Sequence, residues 1–129
     1  MLTAAAGNAT AQTLAIVCRG AQRSGQIAEF LFGRDIGNHV GVSEAAWTRF
    51  VGREITPRFP DGLTITDAIG QWRNPANGRM VREPSKRVEI VLPGRAGDEA
   101  RLDAIVAAYK RRFHQHSVGV IVQSACVSF

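Results

Sequence analysis

The feature that most constrains the fold is the order in which two hydrophobic periods alternate along the chain. A segment rich in β-forming residues, 26–32, ends at a glycine and predicts the first strand. Ser43 is a good N-cap residue, and it predicts the start of a helix that ends at Thr56-Pro57, because the residue before proline avoids the helical conformation. The apolar face of this helix has helical spacing and comprises Trp47, Phe50, Val51 and Ile55.

The rest of the chain continues the alternation. A strand from about 63 to 72 is followed by the turn signal Asn77-Gly78 and a return strand over 86–92. A second helix follows, and the last strand runs from 118 to near the end; the apolar face of that helix comprises Leu102, Ile105, Val106, Tyr109 and Phe113. The order β-α-β-β-α-β predicts an α+β, ferredoxin-like split βαβ sandwich, with a four-stranded antiparallel sheet and two helices on one face. The other face of the sheet is left to water, a ligand or a partner.

A length of 129 residues fits one ordinary domain. We predict an N-terminal tail or signal remnant over 1–17 and a single ferredoxin-like domain over 18–129. The triplet Ala9-Thr10-Ala11 has the spacing of a signal-peptidase site, although no basic segment or long apolar segment precedes it. No apolar run approaches the length of a membrane span, so we predict no membrane span.

The formal net charge of +5 is carried by arginine, because only Lys86 and Lys110 of the 16 basic residues are lysines. Arginine suits bidentate capture of carboxylate and phosphate groups. The arginines are spread from Arg19 to Arg112, which favours a basic surface over a nucleic-acid footprint. We therefore predict no nucleic-acid partner.

The densest cluster of candidate site residues lies on the predicted hairpin. Two arginines and a lysine can clamp a small anion, and an indole ring can supply an apolar wall. Glu83 is then a general base or an ion-pair partner. The alternative is that these charges only tie the hairpin together and that the tryptophan is part of the core. The predicted ligand-binding residues are Trp72, Arg73, Arg82 and Lys86.

Asp67 interrupts the apolar residues Leu63, Ile65 and Ile69 on one face of its predicted strand. It is either a buried functional carboxylate with a raised pKa or a residue that a β-bulge turns outward. If the domain is an enzyme, Glu83 and Asp67 are the candidate catalytic bases, for an isomerase, lyase or cofactor-free oxygenase on a small carboxylic acid. No phosphate loop or Ser-His-Asp pattern is present, and we predict no cofactor.

The three histidines raise the question of a metal site. His114 and His116 are spaced to chelate, and His39 is a third candidate ligand. The simpler interpretation is an exposed helix end, where histidine suits the helix dipole. No cysteine is placed to help, so we predict no metal.

Four short motifs in the same order resemble the bacterial domain-of-unknown-function family 3574. They cover the chain from about 18 to its end, and they are Thr56-Pro57-Arg58-Phe59-Pro60-Asp61-Gly62-Leu63-Thr64, Gly70-Gln71-Trp72-Arg73, Arg82-Glu83-Pro84-Ser85-Lys86 and Cys126-Val127-Ser128-Phe129. The resemblance implies a small exported bacterial protein and supplies no catalytic residues. The loop 34–42, with His39, does not match the family pattern.

The two cysteines are predicted to form a disulfide. Cys126 lies near the end of the last strand, and that strand runs antiparallel to the first, so its end lies beside the first strand's start. Cys18 comes shortly before that start, which brings the two cysteines to the same end of the sheet. An even cysteine count and export make oxidation permissible, whereas a cytosolic protein would keep two buried thiols. Together with the resemblance, this predicts a periplasmic or secreted location.

The uncovered face of the sheet predicts self-association, with a two-fold dimer as the commonest solution. Its apolar residues, if Phe30, Val88 and Val120 face the helices, are Ile27, Leu31, Val91 and Ile121. The leading hypothesis is an exported, non-catalytic domain that binds a small anionic ligand or a partner at the open face and hairpin end.

Overall fold

The computed structural model describes residues 16–129. The predicted tail, 1–17, lies outside the described residues except for its last two. The strands are β1 (Arg23–Gly33), β2 (Asp35–Ile36), β3 (His39–Val40), β4 (Thr64–Arg73), β5 (Met80–Val91) and β6 (Gly119–Val127). The helices are α1 (Glu44–Phe50), continued by a π-helix over Val51–Ile55, and α2 (Asp98–Phe113).

The main sheet has the strand order β4-β5-β1-β6, and every neighbouring pair is antiparallel. Together with α1 and α2, this is the ferredoxin-like arrangement that the element order predicts, and the prediction is confirmed. The loop after β1 forms a small second hairpin from β2 and β3, which turns through Gly37 at a φ of +66°. Within the described residues, no helix is long and apolar enough to cross a membrane.

The core is an aromatic cluster between β1 and the two helices. The ring of Phe32 lies 4.6 Å from that of Tyr109 and 5.2 Å from that of Trp47, and all three side chains are buried. Helix α1 begins as predicted, because the Ser43 hydroxyl accepts a hydrogen bond of 3.1 Å from the Ala46 N–H. These contacts hold both helices against the same side of the sheet.

Strand register divides the sheet into two faces. Phe30 pairs with Val88, and both are fully buried beneath the helices, so we call this side the helix-side face. Leu31 pairs with Arg87 and points the other way, onto what we call the open face. The open face also carries Ile121, and Leu31 and Ile121 are 43% and 47% exposed, as the predicted register requires.

Strand β5 begins at Met80, well before the predicted start at Lys86, and it runs through Pro84. The Pro84 carbonyl accepts a hydrogen bond of 3.0 Å from the Arg34 N–H, so its backbone polar groups face β1. Strand β1 ends its pairing at Gly33 opposite Ser85. The missing proline N–H therefore costs no bond to β4, which is why a proline is tolerated here.

The second helix begins after a glycine in the cap position. Gly97, at a φ of +88°, occupies the cap position, and Asp98 is the first helical residue. One oxygen of the Asp98 carboxylate accepts hydrogen bonds of 3.0 Å from the N–H groups of Gly94 and Arg95. The aspartate therefore ties down the loop before the helix instead of capping the helix itself.

The predicted disulfide between Cys18 and Cys126 is present, with the two Cα atoms 5.4 Å apart. Cys126 pairs with Ser24 near the start of β1, at the end of the sheet far from the β4–β5 turn. The bridge fixes the segment before β1 against β6, which is an edge strand. The predicted bridge is therefore confirmed, and so is the predicted placement of both cysteines at the same end of the sheet.

Candidate ligand-binding site at the hairpin end

The far end of the β4–β5 hairpin extends beyond the helical layer. In the described part of the chain, none of the buried apolar core residues comes from 64–87. Ile69 and Trp72 are 64% and 45% exposed, although they occupy opposite faces of β4. Both faces of the hairpin end are therefore accessible to a ligand.

Register assigns each predicted site residue to a face. Asp67 pairs with Lys86 on the helix-side face, and the alternation of side chains places Arg73 and Arg82 on that same face. Trp72 and Glu83 lie on the open face, because each is the immediate chain neighbour of one of those arginines. The structure thus divides the predicted set into two groups on opposite sides of one hairpin.

The first group is an alternating row of charges on the helix-side face. The ammonium of Lys86 is buried and bonds to Asp67 and, at 3.0 Å, to Glu44 of α1. The other carboxylate oxygen of Glu44 forms an ion pair with the Arg34 guanidinium, at an N–O distance of 2.9 Å. This row ties β4, β5, α1 and the loop after β1 together.

The pKa directions follow from this row. Burial lowers the pKa of Lys86, but its hydrogen bonds to Asp67 and Glu44 outweigh burial and raise that pKa above the usual value. The hydrogen bond from Lys86 lowers the pKa of Asp67, and the charge of the same ammonium lowers it further. Both directions favour the charged forms of this ion pair.

Both sequence interpretations of Asp67 are wrong. Its side chain is 80% exposed, so it is not buried, and its pKa is lowered instead of raised. The β4–β5 pairing continues through it without a bulge. An aspartate is accommodated in this apolar row because its side chain is exposed to solvent and Lys86 supplies a partner.

Farther along the same face lie the two arginines of the predicted clamp. Gln71 pairs with Arg82, and Arg73 pairs with Met80, so Arg73 and Arg82 are diagonal neighbours. Such neighbours lie about 7–8 Å apart at their backbones, within reach of long side chains. Arg82 also lines a shallow hollow of about 230 Å³, together with Ile69, Glu83 and Pro84.

Lys86 is not close enough to complete this clamp. It lies four residues from Arg82 along β5, which corresponds to about 13 Å at the rise of a strand. Its charge is also already matched by two carboxylates. The helix-side face therefore offers a two-arginine group, with Ile69 and Pro84 as its apolar wall.

The second group is a hydrogen-bonded pair on the open face. The indole Nε1–H of Trp72 donates to one oxygen of Glu83 at 3.1 Å, and the N–H of Asp35 donates to the other at 2.9 Å. Gly70 pairs directly with Glu83, and Gly33 lies against its carboxylate. The carboxylate is thus held from two sides above a floor of backbone.

Sequence reasoning did not foresee the roles of Gly33, Gly70 and Arg34. A glycine inside a strand pattern is a recognised sign of close backbone or side-chain approach, and Gly70 carried that signal. Arg34 carried none, because its partner Glu44 lies on a different element. Among the residues described, no three His, Cys, Asp or Glu side chains gather at a spacing that would hold a metal ion.

Comparison with known proteins places this geometry in context. The family model described as Protein of unknown function (DUF3574) matches residues 27–129. No curated protein matches the chain.

Among solved structures, the chain is similar to a phage SAM lyase in complex with S-methyl-5'-thioadenosine, with a TM-score of 0.64 and 17% identity over 91% of this chain and 97% of that one. The apo state of a phage SAM lyase gives 0.60 and 18% over 89% and 97%. CutA from Synechococcus elongatus PCC7942 gives 0.51 and 11% over 83% and 80%. At these identities the likeness bears on the fold alone, and it agrees with the ferredoxin-like arrangement.

Proposed function

This chain belongs to the family Protein of unknown function (DUF3574), and from that premise we propose that it is an exported bacterial domain that binds a small organic anion at the end of its β4–β5 hairpin. The ligand carries a carboxylate or phosphate group and an apolar part. Arg73 and Arg82 hold the anionic group, and Ile69 and Pro84 contact the apolar part.

The observation that carries the proposal is a pair of neighbouring arginines without acidic partners, one of which, Arg82, lines a hollow. Among residues 16–129, Arg34, Arg58, Arg87, Arg95 and Arg101 have carboxylate partners. Arg73 and Arg82 have none in this range, as is true of several other exposed arginines, but these two are also diagonal neighbours on one face of a hairpin. Paired guanidinium groups are the donors best suited to bidentate capture of an anion. The exposed side chain of Ile69 next to Arg82 gives the ligand an apolar surface to cover.

A thermal-shift screen tests the proposal directly. Succinate, benzoate and phosphate are compared with chloride at constant ionic strength. A ligand present at 100 times its Kd stabilises the folded state by about 2.7 kcal/mol, which raises Tm measurably. Arg73→Ala with Arg82→Ala should abolish the rise in Tm.

The matched control is Arg19→Ala with Arg111→Ala, which removes the same charge from two exposed arginines outside the β4–β5 hairpin. This control should respond as the wild type does. The proposal is wrong if no anion raises the wild-type Tm, or if both double variants respond equally.

Export is supported by the disulfide, since bridges of this kind persist in oxidising compartments. The predicted periplasmic or secreted location follows from the same property. Fractionation of the native host with protection from added protease tests it, and a purely cytosolic pool would count against export.

We further propose that the open face pairs with a second copy of the chain. Leu31 and Ile121 are exposed there, with Ile27 and Val91 half-buried beside them. Light scattering should give twice the monomer mass of 14.0 kDa, and Leu31→Asp with Ile121→Asp should give the monomer. Val17→Asp, on a strongly exposed residue before β1, should leave the dimer intact; a monomeric wild type at micromolar concentration refutes the pairing.

A cofactor-free enzyme on a small carboxylic acid is the second candidate. The observation in its favour is Glu83, whose carboxylate is fixed by two N–H donors at an accessible end of the sheet. Because the chain shares its fold with a phage SAM lyase, SAM is the first substrate to test, with release of S-methyl-5'-thioadenosine as the readout. Product that Glu83→Gln abolishes favours this candidate, and no product above the uncatalysed rate removes SAM lyase activity from consideration.

A further inference from the structure

The Trp72–Glu83 pair on the open face has a chemistry that the anion-binding proposal does not use. Trp72 is exposed, and its indole N–H is directed at a carboxylate instead of at water. The second oxygen of Glu83 accepts from the Asp35 N–H, so the carboxylate has little freedom to move away from the ring. The two side chains form one preformed unit, an exposed aromatic face joined at its edge to a fixed negative charge.

Two glycines lie beside this unit. Gly70 precedes Trp72 by two residues on the same face of β4, so no side chain of that strand lies beside the ring on that side. A Cβ on Gly33 would lie 2.5 Å from an oxygen of Glu83, and a Cβ on Gly70 would lie 2.7 Å from the Ser85 hydroxyl oxygen. Neither position accepts a larger residue without displacing a side chain of the open face.

The charges nearby leave the negative character of the unit in place. Arg73 and Arg82 point to the opposite face of the hairpin. Arg87, on the open face, is engaged by Glu29 and Glu89, and Arg34 is engaged by Glu44. Glu83 therefore has no cationic side chain within ion-pair distance among the residues described.

An indole attracts cations over its face through the ring quadrupole. Donation of the indole N–H to a carboxylate polarises the ring and makes that face more electron-rich, because hydrogen-bonded groups polarise one another. The carboxylate at the ring edge adds a direct Coulomb attraction. We infer that the open face of the hairpin end binds a small organic cation, of the alkylammonium or sulfonium class, over Trp72 with Glu83 as its counter-charge.

Indole NMR can test this site because the chain has two tryptophans, and only Trp72 is exposed. In ¹⁵N-labelled protein, the Nε1–H signals of Trp72 and Trp47 are followed during addition of tetramethylammonium chloride. Sodium chloride serves as the ionic-strength control, and 3,3-dimethylbutan-1-ol as a neutral probe of similar shape. We expect a saturable shift of Trp72 with a millimolar Kd for the cation alone, while the buried Trp47 stays in place.

Two kinds of variant separate charge from ring. Glu83→Gln keeps an oxygen for the indole N–H but removes the charge, and it should weaken cation binding at least fivefold. Trp72→Phe should bind several-fold more weakly than wild type, and Trp72→Leu should not bind, with the backbone amide of Asp35 as the reporter in both. Arg73→Ala with Arg82→Ala should not weaken binding of the cation, so this site and the anion clamp can fail independently.

The inference is overturned if the neutral alcohol shifts Trp72 as much as the cation does, or if tetramethylammonium produces no saturable shift. It is also overturned if Glu83→Gln or Trp72→Leu binds the cation as tightly as the wild type. The Trp47 signal reports folding in the Glu83→Gln variant. Should that signal collapse, Trp72→Phe and Trp72→Leu decide the question alone.

Discussion

Removing the bridge between Cys18 and Cys126 should lower the free energy of unfolding by an amount that can be calculated from the length of the loop it closes. The two cysteines are 108 residues apart, so the bridge closes almost the whole domain into one loop. In the chain-entropy account, a loop of that length restricts the unfolded chain by roughly 4–5 kcal/mol. Loss of a native disulfide from a small secreted domain generally costs about 2–5 kcal/mol.

The assay is urea unfolding of the wild type and of Cys18→Ala with Cys126→Ala, with and without reductant. We expect the double variant to lose about 2–5 kcal/mol of unfolding free energy and to show a larger m-value, because an uncrosslinked unfolded chain exposes more surface. Reduced wild type should match the double variant, which controls for the substitutions themselves. A loss below about 1 kcal/mol with an unchanged m-value refutes the chain-entropy argument, and alkylation of two free thiols in native protein refutes the bridge.

Three further predictions concern hydrogen-bonded polar side chains. The Tyr109 hydroxyl donates to the Gly33 carbonyl at 2.7 Å, so Tyr109→Phe should cost about 1–3 kcal/mol of unfolding free energy in urea. Because burial raises the pKa of Tyr109, the wild type should also lose stability more steeply than the variant as the pH rises above 10.0. The hydrogen bond to Arg87 lowers the pKa of Glu29 from 4.5. The ion pair therefore stabilises the fold above that pH, and this stabilisation is lost as the pH falls through the lowered pKa. Glu29→Gln should make the unfolding free energy depend less on pH in the acid range, and an unchanged dependence would contradict this. Lys86→Met should stay within about 1 kcal/mol of the wild-type unfolding free energy, because its two carboxylate partners remain hydrated. Asp67→Asn with Glu44→Gln leaves a buried ammonium unpaired and should unfold at lower urea. If Lys86→Met is instead the less stable of the two variants, the reasoning is wrong.

The parts of the fold that local chemistry controls could be predicted from the sequence. Ser43 caps α1 and Trp47 packs under it, because a cap and an amphipathic face are properties of neighbouring residues. The Cys18–Cys126 bridge followed from the strand order, since an antiparallel last strand must end beside the start of the first. Both inferences need only short-range patterns and one topological rule.

The site needed information that such patterns do not contain. The predicted return strand begins at Lys86, so the prediction leaves Arg82 and Glu83 outside it and gives no direction for their side chains. In the structure, the β4–β5 pairing continues through Pro84, so Arg82 and Glu83 lie in an extended strand. Their side chains therefore point to opposite faces of the sheet, as do those of Trp72 and Arg73. The partners of Lys86 and Glu83 could not be predicted either, because Glu44 and Asp35 belong to elements distant in sequence.

Opposite charge preferences on one hairpin follow from this alternation and need no additional structure. Arg82 and Glu83 are adjacent in the chain, yet the pleat sends their side chains to opposite faces, where each meets its own neighbours. On the helix-side face, the neighbour of Arg82 is Arg73, and their like charges favour an anion between them. On the open face, Glu83 meets an indole N–H and a backbone N–H, which fix its charge without cancelling it. The anion clamp and the cation site that we propose therefore use side chains on opposite faces of one hairpin, although Glu83 as well as Arg82 lines the hollow.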